Sequence, residues 1–398
     1  MAQSKELSEW RRDTPASARR LHLNNAGASL MPTPVADAVM GQLALEQEIG
    51  GYEAADQAAD RIAEVYRRVA AVIGAHARNI ALVQSATMAF TQAMAAFDFD
   101  PGDRIVTSQA DYVSNQVLFL ALAKRRGVEV CHAADGPDGS VDPGDVRALA
   151  SHPRCRLVSI CWMPTNSGLV QDVHAVGSVC QELGVPYLVD ACQAVGQLPI
   201  DVAVLHCDFL TATARKFLRG PRGIGFLYVS DRALADGLYP STIDMNGASW
   251  SSAGAFELVD SARRFEQWEQ PSALVLGLGE AAGYAMRVGL DTASTRAWML
   301  AARLRAQLAA VPGWRVLDNR PHASAIVAVE LGAVDPLLVM EALRKKAINT
   351  SATFRAWAQY HMGRQGVEAA LRISPHYYNS DDEIDRFVPA LYDVTKTL

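Results

Sequence analysis

The stretch Ala212-Thr213-Ala214-Arg215-Lys216-Phe217-Leu218-Arg219-Gly220-Pro221-Arg222-Gly223-Ile224-Gly225-Phe226-Leu227-Tyr228-Val229 decides how the rest of this chain is read. A polar run ends in a lysine and a glycine-rich turn follows. Gly225 to Val229 then reads as a short apolar strand. A lysine held between two strand-like runs is costly to bury unless it is neutralised or bonded. A Schiff base to an aldehyde cofactor suits such a lysine. An exposed turn lysine is the plainer alternative, and this stretch alone leaves both open.

Two upstream stretches shift the balance. In Tyr187-Leu188-Val189-Asp190-Ala191-Cys192-Gln193 an apolar run ends in an aspartate and small residues. That predicts a buried parallel strand whose carboxyl end, where open α/β sheets place ligands, carries Asp190. An acid there can keep a pyridine nitrogen protonated; it can also cap the next helix. Further upstream, Ile80 to Val83 run into Gln84-Ser85-Ala86-Thr87 and a helix-like segment. This is the pattern of a phosphate cradle at a helix N-terminus, or of an ordinary N-cap.

Cradle, acid and lysine occur in that order. With its Asp-x-x-Gln and Lys-x-x-x-Gly-Pro-x-Gly-x-Gly signatures, the chain resembles the class V aminotransferase group of fold-type I pyridoxal 5'-phosphate (PLP) enzymes. The resemblance runs from about Leu21 to the C-terminal helix. The group includes cysteine desulfurases, selenocysteine lyases, isopenicillin N epimerases and cysteine S-conjugate C–S lyases. The strand–helix alternation that begins at Ile80 independently predicts an α/β fold: a mostly parallel sheet with helices on both faces. Beyond about Pro271, long helices give way to strands at 325–329 and 371–374, a smaller α+β unit. The expected division is a large PLP-binding domain over 30–270, and a small domain built from 1–29 and 271–398.

The resemblance implies roles residue by residue. Lys216 would carry PLP and take the substrate Cα proton. Asp190 would pair with the pyridinium nitrogen, and Gln193 would reach the phenolic oxygen. Ala86, Thr87 and Thr213 would hold the phosphate. Asn166, in Pro164-Thr165-Asn166-Ser167-Gly168, would complete the cofactor set near the substrate carboxylate, although Asn-Ser-Gly is also a normal turn. Arg372, in Leu371-Arg372-Ile373-Ser374-Pro375, would grip that carboxylate; from the strand alone, a structural ion pair is the simpler expectation. Asn25 and Ala28 would offer backbone groups to substrate from a turn. Tyr52, after Gly50-Gly51, would reach a pocket at a subunit interface or pack in a loop. From the residues around it, Arg355 would help line a pocket for a bulky substrate tail, or pack in a surface loop. A homodimer is expected, and no metal.

The chain also departs from the desulfurase pattern. Arg215 stands where those enzymes usually have histidine. Val113 aligns with their ring-stacking histidine, which leaves Tyr112 as the nearest aromatic. Arg264-Phe265-Glu266 is kept, but the Gly-Thr that donates a phosphate contact across the dimer is missing; Trp268 is a candidate pocket wall instead. All six cysteines, at 131, 155, 161, 180, 192 and 207, precede the lysine. Residues 349–366, where a persulfide-bearing loop cysteine would lie, hold Phe354, Arg355, Trp357, Tyr360 and His361 instead.

Composition narrows the field. The 398 residues are 50% hydrophobic and 20% charged, ordinary for a chain with a large core. A net charge of −6 without a basic block argues against a nucleic-acid partner. The cysteines show neither metal-like pairing nor secreted-domain spacing. No apolar run reaches spanning length and the N-terminus has no signal-like core, so a cytoplasmic protein without membrane partners is expected. The leading reading is a C–S lyase on an S-substituted cysteine, resembling the lyases of ergothioneine and lincosamide biosynthesis. Decarboxylation-coupled oxidative deamination of the same conjugates is the first alternative. Isopenicillin N epimerase-like racemisation, with Tyr112 or His361 as the second-face donor, is another. A PLP-binding regulator would need a nucleic-acid module that the sequence does not show.

Overall fold

Seven strands build the principal sheet, in the order Ile80–Val83, Gly225–Val229, Phe209–Thr213, Tyr187–Asp190, Cys155–Cys161, Arg104–Ser108 and Glu129–Ala133. The computed structural model describes residues 2–318 and 323–398. From Phe209–Thr213 to Glu129–Ala133 every pairing is parallel. Gly225–Val229 is the exception and runs antiparallel to both neighbours. The reason is local: the connection over 214–224 holds no crossover helix, and a connection without one can return the chain in the opposite sense. The three strands nearest the lysine are buried at every position, as strands covered on both faces must be.

A second, antiparallel sheet is ordered Arg315–Val316, Val327–Glu330, Ala369–Ile373, Ser351–Phe354. Its core includes Leu300, Leu304, Ile326, Leu371 and Phe387, and takes in Leu23, Ala26 and Phe217. The N-terminal strand Leu21–His22 joins this part of the chain through parallel pairing with Ile348–Asn349. Asn24 bridges to Ser374 just beyond.

Some elements differ from the sequence reading. Residues 51–72 form two helices, Gly51–Gln57 and Ala59–Val72, broken at Ala58. Residues 349–366 are not an open loop. They form the edge strand Ser351–Phe354, a short turn at Arg355–Trp357 and the helix Gln359–Arg364. The hairpin of Ala248–Ser252 with Ala255–Leu258 has no apolar alternation to announce it, because both strands lie in solvent. The N-terminal arm is the helix Ala2–Arg12, and it buries Trp10 edge-on against Tyr377, at 5.1 Å between centroids.

Arg219 ties these parts together. It adopts φ 62°, a left-handed conformation unusual for a side-chain-bearing residue. Its side chain is 1% exposed. Nε donates to Leu30 O at 2.9 Å, Nη1 to the Tyr377 hydroxyl at 2.6 Å and Nη2 to Thr14 Oγ1 at 2.6 Å. The guanidinium lies 4.3 Å from the Tyr378 ring centroid. Removing it strands buried acceptors and opens a void. Arg219→Leu should therefore lose about 3 kcal/mol of stability in urea unfolding. A loss below about 1 kcal/mol would mean that the hub is dispensable.

Candidate active site

A cavity of about 270 Å³ opens at the carboxyl ends of the central strands. Lys216 lies at its centre, 7% exposed, three residues past the strand Phe209–Thr213. Burial lowers the Lys216 amine below the usual lysine value. Arg215 and Arg372 add to that, while Cys192 and Asp190 oppose it. The Ser29 N–H donates to Arg215 O at 2.8 Å and the Arg219 N–H to Lys216 O at 2.9 Å, so the backbone is held on both sides of the lysine.

Asp190 ends the strand Tyr187–Asp190 and lines the cavity. Its Oδ1 accepts the Cys192 N–H at 3.0 Å, and its Oδ2 accepts Asn115 Nδ2 at 3.0 Å. Ala86 and Thr87 open the helix Ala86–Met94 on the opposite wall, where the first amides of a helix have no intrahelical acceptor. Ser85 caps this helix, its Oγ accepting the Met88 N–H at 3.1 Å. Gly225 lets the helix approach the sheet: a Cβ there would stand 2.4 Å from Ala212 O and 3.2 Å from the Ala86 nitrogen. Thr213 and Gln193 also line the cavity. Gln193 Nε2 donates to Ala26 O at 3.1 Å and to Thr165 Oγ1 at 2.9 Å, while its buried Oε1 has no partner among the described residues.

Arg372 stands beside this group. Nη1 donates to Thr165 O at 3.0 Å and Oγ1 at 2.7 Å, and Nη2 to Asn24 Oδ1 at 3.2 Å. Nε is buried without a partner among the described residues. Burial lowers its guanidinium to about 10, with Arg215 contributing. The structural ion pair that the strand alone suggests is not formed among the described residues. Asn166 is buried with Nδ2 unpartnered among the described residues; it follows Thr165, which lines the cavity, but does not line the cavity itself.

Other expected residues lie elsewhere or are otherwise engaged. The Asn25 side chain donates to Ser374 O at 2.7 Å and accepts from the Tyr378 hydroxyl at 2.6 Å. Ala28 is tied to Asn24 through its N–H and to His22 through its carbonyl. The loop is thus clamped, and it is Asn24, not singled out from sequence, that reaches Arg372. Tyr52 is 71% exposed and stands 6.1 Å from Trp268, outside the cavity. Arg355 is also outside, paired with Glu368 at 2.6 Å. Tyr112 is the aromatic residue on the cavity wall, with its ring centroid 5.8 Å from Lys216 Nζ. Val113 instead begins the helix Val113–Arg126. Of the clustered arginines, Arg215 and Arg222 line the cavity. Asp111 and Asn115 escaped the sequence reading as site residues; a buried acid four residues before an asparagine carries no distinctive pattern.

The class V aminotransferase family profile matches residues 21–387. The chain belongs to this family. It is a PLP-dependent enzyme of cysteine desulfurase-like type. A probable cysteine desulfurase of Methanothermobacter thermautotrophicus is 26% identical over 390 residues, covering 96% of this chain and 97% of the relative. The apo cysteine desulfurase of Thermococcus onnurineus superposes with a TM-score of 0.88 at 24% identity, over 98% of both chains. The cystine C–S lyase C-DES, in complex with its product cysteine persulfide, superposes with a TM-score of 0.81 at 21% identity, over 96% of this chain and 99% of that one.

The cavity of this class V enzyme fits the cofactor chemically. Free helix amides and a hydroxyl suit a phosphate, a fixed carboxylate suits a pyridinium nitrogen, and a buried amine suits an aldehyde. No single described helix is long and apolar enough to cross a membrane.

The lowered amine sets a pH-dependent stability. In the cofactor-free protein the folded-state value of Lys216 lies below the 10.5 usual for lysine. Its charged form therefore opposes folding fully below the folded value, and that opposition fades as pH rises toward 10.5. Lys216→Met apoprotein should thus resist urea better than wild-type apoprotein at neutral pH, with the gap closing under alkaline conditions. A gap that is absent, or that widens with pH, would contradict the buried-amine account.

Proposed function

We propose that this enzyme is a C–S lyase that cleaves a cysteine S-conjugate by β-elimination to a thiol, pyruvate and ammonia. The observation that carries the reading is the placement of sulfur. A desulfurase needs a mobile cysteine to take sulfur from its substrate, and residues 349–366 contain none. Cys161 and Cys192 line the cavity, but burial raises both thiols far above their usual value. A thiol held protonated is a poor nucleophile. The alternative that needs no protein sulfur is departure of the substrate's own sulfur as a thiolate.

Bound PLP supplies an electron sink for the carbanion at the substrate Cα. Ala86, Thr87 and Thr213 would hold the phosphate, Asp190 the ring nitrogen and Gln193 the phenolic oxygen. Arg372 would bind the α-carboxylate through its planar fork, which fixes rotation about Cα and so chooses the bond that breaks. Lys216, favoured as a neutral amine by burial, accepts the Cα proton. The electron pair left at Cα forms the Cα–Cβ double bond, the Cβ–S bond breaks, and sulfur leaves with its pair. Water then converts the three-carbon product to pyruvate and ammonia. The reading extends to a homodimer, supported by the exposed pair of Tyr52 and Trp268, which would serve a partner subunit's site.

An S-alkyl cysteine should yield pyruvate and intact thiol in equal amounts. An aldehyde in place of pyruvate would identify decarboxylative deamination, and recovery of the enantiomer would identify epimerisation. A folded, PLP-loaded variant with all six cysteines replaced should keep its lyase turnover; loss of turnover would end the cysteine-independent mechanism. Arg372→Lys keeps the charge but loses the fork. It should weaken binding of amino acid substrates by about 1.5–3 kcal/mol at unchanged PLP content. Equal weakening of the matching decarboxylated amines would show a structural role instead.

A further inference from the structure

Behind the cofactor-binding wall lies a carboxyl group that the proposed chemistry does not use. Asp111 is 5% exposed and closes the loop between the strand Arg104–Ser108 and the helix Val113–Arg126. Three donors converge on it. Thr107 Oγ1 donates to Oδ2 at 2.7 Å. The Tyr112 N–H donates to Oδ1 at 2.6 Å, and Asn115 Nδ2 donates to the same oxygen at 3.0 Å. Asn115 Nδ2 also donates to Asp190 Oδ2 at 3.0 Å. One amide group therefore spends its two hydrogens on two carboxylates.

This arrangement has a direction. Two carboxylates facing each other repel, and the amide between them gives each a partner. The amide holds its place while Asp111 Oδ1 accepts from it. If Asp111 is replaced by alanine, that acceptor is lost, and Asn115 is free to turn away from Asp190. The Tyr112 amide is anchored on the same Asp111 oxygen, one residue from the helix start. The ring that stands 5.8 Å from Lys216 Nζ is thus placed by the same acid.

We propose that Asp111 is a positioning residue that sets two walls of the PLP site together: the Asp190 carboxylate through Asn115, and the Tyr112 ring through its backbone amide. Burial, reinforced by Asp190, raises the Asp111 carboxyl to about 7, while its three donors act against that rise. The anchor is consequently a strained one, kept because its hydrogen bonds orient other groups.

The role concerns cofactor binding and rests on the PLP reading, not on the choice of substrate, so the test does not require turnover. Apoprotein of wild type, Asp111→Ala, Asn115→Ala and the double variant would be titrated with PLP, following the visible band and its position. Asp111→Ala should weaken PLP binding about tenfold, the size of one charge-assisted hydrogen bond, and should move the band maximum. Asn115→Ala should do much the same, and the double variant should be little worse than either single one, because the acid acts through the amide. Binding within about twofold of wild type in a folded Asp111→Ala protein would overturn the proposal, as would fully additive losses in the double variant. Should Asp111→Ala fail to fold, Thr107→Val removes only the anchoring hydroxyl. A weaker PLP titration in that variant supports the proposal, and an unchanged one overturns it. A visible band absent from wild type itself would instead refute the PLP reading on which the inference stands.

Discussion

The site depends on holding the Lys216 amine out of water without giving it an acid of its own. Desolvation disfavours its charge, and Asp190, the nearest fixed carboxylate, is already engaged by Asn115 and the Cys192 amide. Such a lysine is reactive because its surroundings oppose its protonation, and the surroundings must therefore be rigid. The chain secures this with close backbone approaches. Gly196 lets one segment lie against the lysine turn, where a Cβ would stand 2.4 Å from the carbonyl carbon of Phe217. The His376 ring meets Phe217 O at 2.9 Å, and burial with Arg219 nearby keeps that histidine far below its usual pKa, hence neutral. Arg219, in its left-handed conformation, fastens the far end of the turn to the N-terminal segment.

The charges around this amine are out of balance in one sense. Arg215, Arg222 and Lys216 line the cavity and Arg372 bonds to Thr165 on its wall, whereas Asp190 is the one acid on the lining among the described residues. A buried guanidinium without a carboxylate partner is expensive to maintain. Arg372 is only partly compensated by neutral acceptors from Thr165 and Asn24. The excess is the electrostatic complement of a phosphate at the helix end and a carboxylate near Thr165. The interactions that the fold leaves incomplete are those that anionic ligands can complete.

Much of this was legible in the sequence, for identifiable reasons. Lys216, Asp190 and the Ala86–Thr87 turn each sit where an apolar strand ends, and strand ends are readable from hydrophobic runs. Residues drawn from those ends line one cavity. What was not legible depends on contacts between distant segments. Asn24 meets Arg372 only because Leu21–His22 joins the second sheet beside Ile348–Asn349. Asn25 was the more conspicuous candidate, yet its backbone N–H and its side chain are tied to Ser374 and Tyr378, more than three hundred residues away. The Asp111–Asn115 relay is equally invisible, because nothing local says that an asparagine one helical turn on will touch the acid of a different strand. The antiparallel strand after the lysine was hidden by the alternation rule, which does not distinguish a connection without a helix from a crossover.

The segment 349–366 bears most on the chemistry. A loop that shuttles sulfur must leave its neighbours and return, so it needs few ties. Here Ser351–Phe354 is hydrogen-bonded as an edge strand, with Ser351 opposite Arg372. Arg355 pairs with Glu368 and Arg364 with Asp135, while the Tyr360 ring lies 4.4 Å from His132. The last two contacts reach across to the strand Glu129–Ala133 of the principal sheet and the loop that follows it. Each exposed ion pair is weak alone, but together with the sheet pairing they keep the segment bridging the two sheets. A segment tied in this way is ill suited to leave its neighbours and return, as a sulfur shuttle must. Its strand Ser351–Phe354 also pairs with the strand that carries Arg372, so that moving the segment would disturb the anchor of that guanidinium.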